Sequence, residues 1–183
     1  NISEYPIIND FLYDYYLETL IDSEESFVPA WYAGNGNIII NRHYKVAKNL
    51  DLYIAHEIAH SATETLNLPD WLSEGIAEYS AYRYFGVQFK LEESIKHKDI
   101  LNWNSFNSSY GDNIRGYSHS AHIVKKFVDS YGDDKLRELI IALYGKINFK
   151  DSIEVKNQKI LEVIQKVTNN PTLTIEEVIY PKD

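Results

Sequence analysis

The chain has no cysteine, and that one absence removes thiol nucleophiles, disulfides and thiolate metal ligands together. Any metal it binds must be held by His, Asp or Glu. Positive charge is scarce as well: 18 Lys+Arg stand against 27 Asp+Glu, a formal charge of -9. No basic stripe runs along the chain, which argues against a nucleic-acid partner. A solvated acidic surface accounts for the excess of carboxylates. No apolar run approaches the roughly 18 residues of a membrane span, and no signal peptide is visible. The chain opens on Asn1 rather than Met, as a mature or excised form does. The expected location is extracytoplasmic or secreted, after loss of a leader.

With 183 residues and 44% of them hydrophobic, the chain has the length and apolar content of one domain, residues 1–183. Fifteen tyrosines pair an apolar ring with a polar tip and suit clefts and half-buried surfaces. No internal repeat or low-complexity block interrupts it. Apolar residues at helical spacing predict a helix from Pro6 to Ile21. Strands are expected over Phe27–Ala33 and Ile38–Asn41, joined as a hairpin through Gly34-Asn35-Gly36-Asn37, residues that tolerate positive φ. A long helix follows from Asn49 to Leu66 and stops before Pro69. Asp70 is placed to cap a second helix running to about Phe85.

The Asn-, Ser- and Gly-rich stretch from Asp99 to Gly116 reads as an irregular loop. Helices are then expected over Tyr117–Tyr131, Asp134–Tyr144 and Ser152–Thr168, with Thr174-Ile175-Glu176-Glu177 as a capping box opening a last short one. The fold class is α+β: helix, small sheet and active helix over 1–66, then a mainly helical part over 67–183.

His56-Glu57-Ile58-Ala59-His60 fits the pattern H-E-x-x-H. On a helix, residues four apart lie one turn above each other, about 6 Å along the axis. Two imidazoles so placed can meet one zinc ion, while Glu57 projects beside them within reach of a metal-bound water. The bland alternative is a helix with two surface histidines and a stray glutamate. Ile54, Ile58 and Ala62 on the other face argue against it, because the His/Glu face then needs a reason to be polar. A catalytic zinc takes three protein ligands and keeps a fourth position open. Downstream, Trp71-Leu72-Ser73-Glu74-Gly75-Ile76-Ala77-Glu78-Tyr79 starts a helix able to fold back on the first. Glu74 lies near its beginning, and Glu78 one turn later is a lesser alternative.

Together these two segments resemble the gluzincin zinc metallopeptidases, in particular the small peptidase MA-like domains related to aminopeptidase N and thermolysin. That resemblance implies a zincin-like fold, Zn2+ as cofactor and a peptide or protein substrate. It implies His56, His60 and the Glu74 of Ser73-Glu74-Gly75 as metal ligands, and Glu57 as general base. The spacer between His60 and Glu74 is shorter than in those two enzymes. Glu78 matches the offset at which thermolysin carries a carboxylate supporting a ligand histidine. Gly116-Tyr117-Ser118-His119-Ser120-Ala121 is similar, in part, to the Tyr-x-Lys-Gly-Ala stretch of aminopeptidase N relatives. Tyr117 is therefore the expected donor to the transition-state oxyanion, with Tyr110 and His119 as alternatives.

His119 and His122, three apart on a helix, have no further ligand beside them, and His43 and His97 lie beside basic residues as solvated side chains do, so all four are left off the metal list. The strand at Ile38–Asn41 resembles the edge along which such peptidases lay substrate, although three isoleucines equally suit a core strand. Ala33-Gly34-Asn35-Gly36-Asn37 lacks the Met and Glu of the aminopeptidase Gly-x-Met-Glu-Asn segment, so an endopeptidase is expected over an aminopeptidase. Two other readings are kept: a catalytically silent domain that binds peptides or proteins, and a latent enzyme whose segment after Asn148 covers the cleft.

Overall fold

The structure is a computed structural model that describes residues 30–35, 37–40, 50–86 and 97–180. The expected helix from Pro6 to Ile21, the outer ends of both expected strands and His43 lie outside the described residues. Strand β1 (Ala30–Tyr32) pairs antiparallel with β2 (Ile38–Ile40), with Trp31 opposite Ile39. Their connection turns as its sequence demands. Gly34 and Asn35 take positive φ of 85° and 54°, and the Asn37 N–H donates to the Gly34 carbonyl at 3.0 Å.

Helix α1 (Leu50–Thr63) runs into a single 3-10 turn over Glu64–Leu66. The chain then reverses through Asn67 in the left-handed region, φ 53°, where its short amide side chain is tolerated. Pro69 stands immediately before α2 (Asp70–Phe85) and its carbonyl accepts from both Leu72 N and Ser73 N at 3.0 Å. This short reversal folds α2 back against α1, which also packs against β1. Asp70 does not cap α2 with its side chain. It is the first helical residue, and its carboxylate accepts instead from the Ser105 N–H and hydroxyl, both at 2.8 Å.

The segment expected as loop up to Gly116 is helical from Tyr110, so α3 (Tyr110–Tyr131) starts seven residues earlier than the expected Tyr117. A local cap and a longer-range contact override the polar composition. Ser109 Oγ accepts the Asp112 N–H and caps the helix. Gly116, taken as a breaker, is a packing position: a Cβ there would lie 2.1 Å from Trp103 Cε2. Helix α4 (Asp133–Leu143) follows after Gly132, whose φ of 90° ends α3. Ser152 caps α5 (Ile153–Thr168), and the capping box Thr174/Glu177 opens α6 (Ile175–Ile179) with both reciprocal bonds present.

The hydrophobic core is built by α2 to α6 and the 3-10 turn at Ile100–Asn102, around Trp71, Ile123, Leu139, Leu143, Ile160 and Ile164. Helix α5 is integral to it: Ile160 and Ile164 are fully buried, and Asn157 Oδ1 accepts from the Trp71 indole at 2.9 Å. The segment after Asn148 thus contributes to the body of the fold. Among the described residues α1 gives nothing to this core. Ile58, on its expected apolar face, is 45% exposed, whereas the adjacent Glu57 is buried. The coarse class is α+β, mostly helical with one two-stranded sheet. No described helix is long and apolar enough to cross a membrane.

Candidate metal centre

Residues 56 and 60 occupy successive turns of α1, and α2 presents Glu74 from its second turn. The three side chains converge. His56 Nε2 and His60 Nε2 are 2.9 Å apart, and each lies 3.1 Å from the same Glu74 oxygen, Oε2. Three donor atoms at these separations form a nearly equilateral triangle. Ligands of a tetrahedral zinc at 2.0–2.1 Å stand about 3.3 Å from one another, so the triangle needs only slight opening to accept such an ion. Imidazole and carboxylate suit zinc and other first-row divalent cations alike. By donor chemistry and spacing these residues fit a metal, and His56, His60 and Glu74 form the one such group among the described residues.

The outer nitrogens of both rings are also engaged. His56 Nδ1 lies 3.3 Å from Glu78 Oε1, and His60 Nδ1 lies 3.3 Å from Ser73 Oγ. In the tautomer that leaves each Nε2 as the ligand atom, each Nδ1–H donates to one of these oxygens, which fixes the ring and raises its basicity. Glu78, one turn beyond Glu74, had this role among its sequence readings. Ser73 did not; its signal was its place directly before the ligand, where a helical residue already faces α1.

The electrostatics follow from two carboxylates facing two imidazoles in a half-buried space. Burial alone would lower the His56 pKa, but hydrogen bonds to Glu74 and Glu78 outweigh it and raise the value from 6.5 to about 10. For Glu74, burial pushes upward while the hydrogen bonds to His56 and His60 hold the carboxyl down at about 2. Without a cation the group therefore retains a proton among its nitrogens, and metal uptake must expel it.

Glu57, the expected base, is not part of the triangle. Its Oε2 accepts the backbone N–H of Tyr32 in β1 at 2.7 Å. Among the described residues its Oε1 takes no hydrogen bond. Burial raises the Glu57 pKa above the ordinary carboxylate value, against the pull of His56, His60 and the Tyr32 N–H. Tyr117, on α3, brings its ring to 6.3 Å from that of His56 and packs edge-on against Trp103. Burial, then the charges of Glu74, Glu78 and Glu57, raise its pKa and keep the phenol protonated.

Compared with known proteins, the chain matches no family model, no curated protein and no solved structure. The candidate metal centre therefore rests on its own geometry.

The alternatives to Tyr117 divide. The Tyr110 side chain lies outside the described residues. His119 is buried, with its Nε2 2.9 Å from the Ile179 carbonyl and its Nδ1 accepting the His97 N–H at 3.3 Å. Gly75 follows Glu74 at the crossing of α2 and α3. A Cβ there would come 2.5 Å from the Ser120 carbonyl oxygen, so only glycine permits this approach, which sets Glu74 and Tyr117 on the same side of the structure.

Proposed function

We propose that this chain is a zinc-dependent peptidase of the gluzincin kind with a zincin-like architecture, acting as an endopeptidase on peptide or protein substrates. One observation carries the reading: His56 Nε2, His60 Nε2 and Glu74 Oε2 meet within 3.1 Å of one another, beside a buried glutamate that is not needed as a ligand. A purely structural metal site has no use for that fourth group.

His56, His60 and Glu74 would hold the zinc, which when bound supplies Lewis acidity toward water and toward a peptide carbonyl. Glu57 takes the proton of the attacking water and passes it to the leaving amine. Its raised pKa suits a base that must also return the proton. The neutral Tyr117 hydroxyl donates to the charge that develops on the carbonyl oxygen. Glu78 and Ser73 keep the two imidazoles turned inward.

The test pairs metal content with turnover. Elemental analysis should find one zinc per chain, and Glu57→Gln should retain it while cleavage of a complex peptide mixture falls about a thousandfold. Sequenced products should show internal cuts. Equal cleavage by parent and variant would remove Glu57 from the mechanism, and release of single terminal residues would make the enzyme an exopeptidase. Stoichiometric zinc with no turnover of any peptide would instead assign a silent binding domain.

A further inference from the structure

Glu57 and Glu64 are seven residues apart, two turns of helix, and so fall on one stripe that faces the hairpin. Both carboxylates grip the same short piece of chain. Glu57 Oε2 accepts the Tyr32 N–H at 2.7 Å. Glu64 Oε2 accepts the Tyr32 hydroxyl at 2.5 Å, and Glu64 Oε1 accepts the Asn35 N–H at 3.2 Å. Tyr32 is thus held at its backbone by one glutamate and at its phenol by the other, while the first residues of the turn are tied down beside it.

Among the described residues this strand is three residues long and pairs with one neighbour, and such a two-stranded pairing has little rigidity of its own. The Tyr32 N–H nonetheless fixes which way the Glu57 carboxylate points. We infer that Glu64 is a positioning residue for Glu57: by clamping the hairpin to the end of α1, it holds the Tyr32 N–H where it orients the base. The inference rests on the peptidase reading for its kinetic consequence, but its structural half stands apart from it. The clamp uses both oxygens of an ionised carboxylate, and hydrogen bonds to a charged acceptor are about twice as strong as neutral ones. Nothing about Glu64 touches the metal ligands, so its loss should leave the triangle intact.

The experiment uses the full chain and two variants, Glu64→Ala and Tyr32→Phe, read in two ways. In metal-free protein, amide exchange at Tyr32 should quicken about tenfold in Glu64→Ala and less in Tyr32→Phe, which removes one arm. Amides over α2 should not change. In zinc-loaded protein, both variants should keep one zinc, with kcat falling about tenfold in Glu64→Ala and KM held within about twofold. Glu64→Gln, which can still accept one of the two bonds, should recover part of the loss. Tyr32 exchange equal to the parent in both alanine and phenylalanine variants overturns the inference, as does a rise in KM with unchanged kcat. If the parent itself cleaves no peptide, the peptidase reading fails, and the exchange data alone decide whether Glu64 holds the hairpin.

Discussion

Two histidine pairs sit on helices of this chain in opposite surroundings. His56 and His60 are four apart, and both turn their Nε2 atoms toward one carboxylate oxygen from a neighbouring helix. His119 and His122 are three apart, and His119 is buried against backbone, bridging the His97 N–H and the Ile179 carbonyl. The first pair is surrounded by groups that can take or release charge. The second lies in the helix that carries Ile123, Val124 and Phe127 into the core. An imidazole becomes a ligand when lone pairs face one another across a gap of metal size. It becomes a structural tie when each nitrogen already has a backbone partner.

The sharpest way to break this contrast is to remove one histidine from each pair. His60→Ala should lose stoichiometric zinc while keeping the fold, because the core contains no residue of α1. His119→Ala should do the reverse. It should retain zinc but lose about 2–3 kcal/mol of stability, since a buried carbonyl and N–H are orphaned and a cavity opens. Elemental analysis beside denaturant unfolding checks both, and zinc loss in His119→Ala alone would reverse the assignment.

A second test moves the helix that brings Glu74. Gly75→Ala must push α2 from the Ser120 backbone of α3, and overpacking of this kind costs about 1–3 kcal/mol. Competition with a chelator of known affinity should show weaker zinc binding as well, because Glu74 leaves with the helix. A finer perturbation is Glu78→Ala, expected to weaken zinc by about 10–100-fold without removing the site. Ser73→Ala should fall at the low end of that range, its contact being with a hydroxyl rather than a carboxylate.

The smallest effect is on the metal-free protein across pH. His56 is raised from 6.5 to about 10 by its carboxylates, so its contribution is complete below 6.5 and is lost as pH climbs through about 10. Glu74 is lowered from 4.5 to about 2, so its contribution is complete above 4.5 and is lost as pH falls through about 2. Thermal melts of chelator-treated protein should therefore show this ion pair's support at its fullest between pH 4.5 and 6.5. The zinc-loaded protein should instead gain on the metal-free form as pH rises, since the ligands must be deprotonated.

Much of the site could be read without coordinates because helical spacing is a local rule. His56 and His60 at i and i+4, and Glu74 just inside the next helix, needed only a period and a short turn to be found. The capping box at Thr174 and the hairpin at Gly34-Asn35 were legible for the same reason. Misreadings arose where a distant contact outweighed composition. Gly111 and Gly116 looked like loop residues, but Gly116 is glycine because Trp103 lies against it. Asp70 looked like a cap, yet Ser105 takes its carboxylate. Glu64 gave no hint of the hairpin it holds, since nothing in the local pattern shows what a helix face will meet.

The sequence by itself determined which atoms could be ligands: with no cysteine to compete, two imidazoles one helical turn apart and a carboxylate after a short reversal were the donors it offered. Only the tertiary structure decided that the three point at one place, that Glu57 is aimed by a strand N–H and not by its own helix, and that the Tyr117 ring stands 6.3 Å from that of His56. Spacing along a helix follows from the fixed rise per residue. The meeting of separate elements depends on packing, here on a glycine small enough to let α2 and α3 touch.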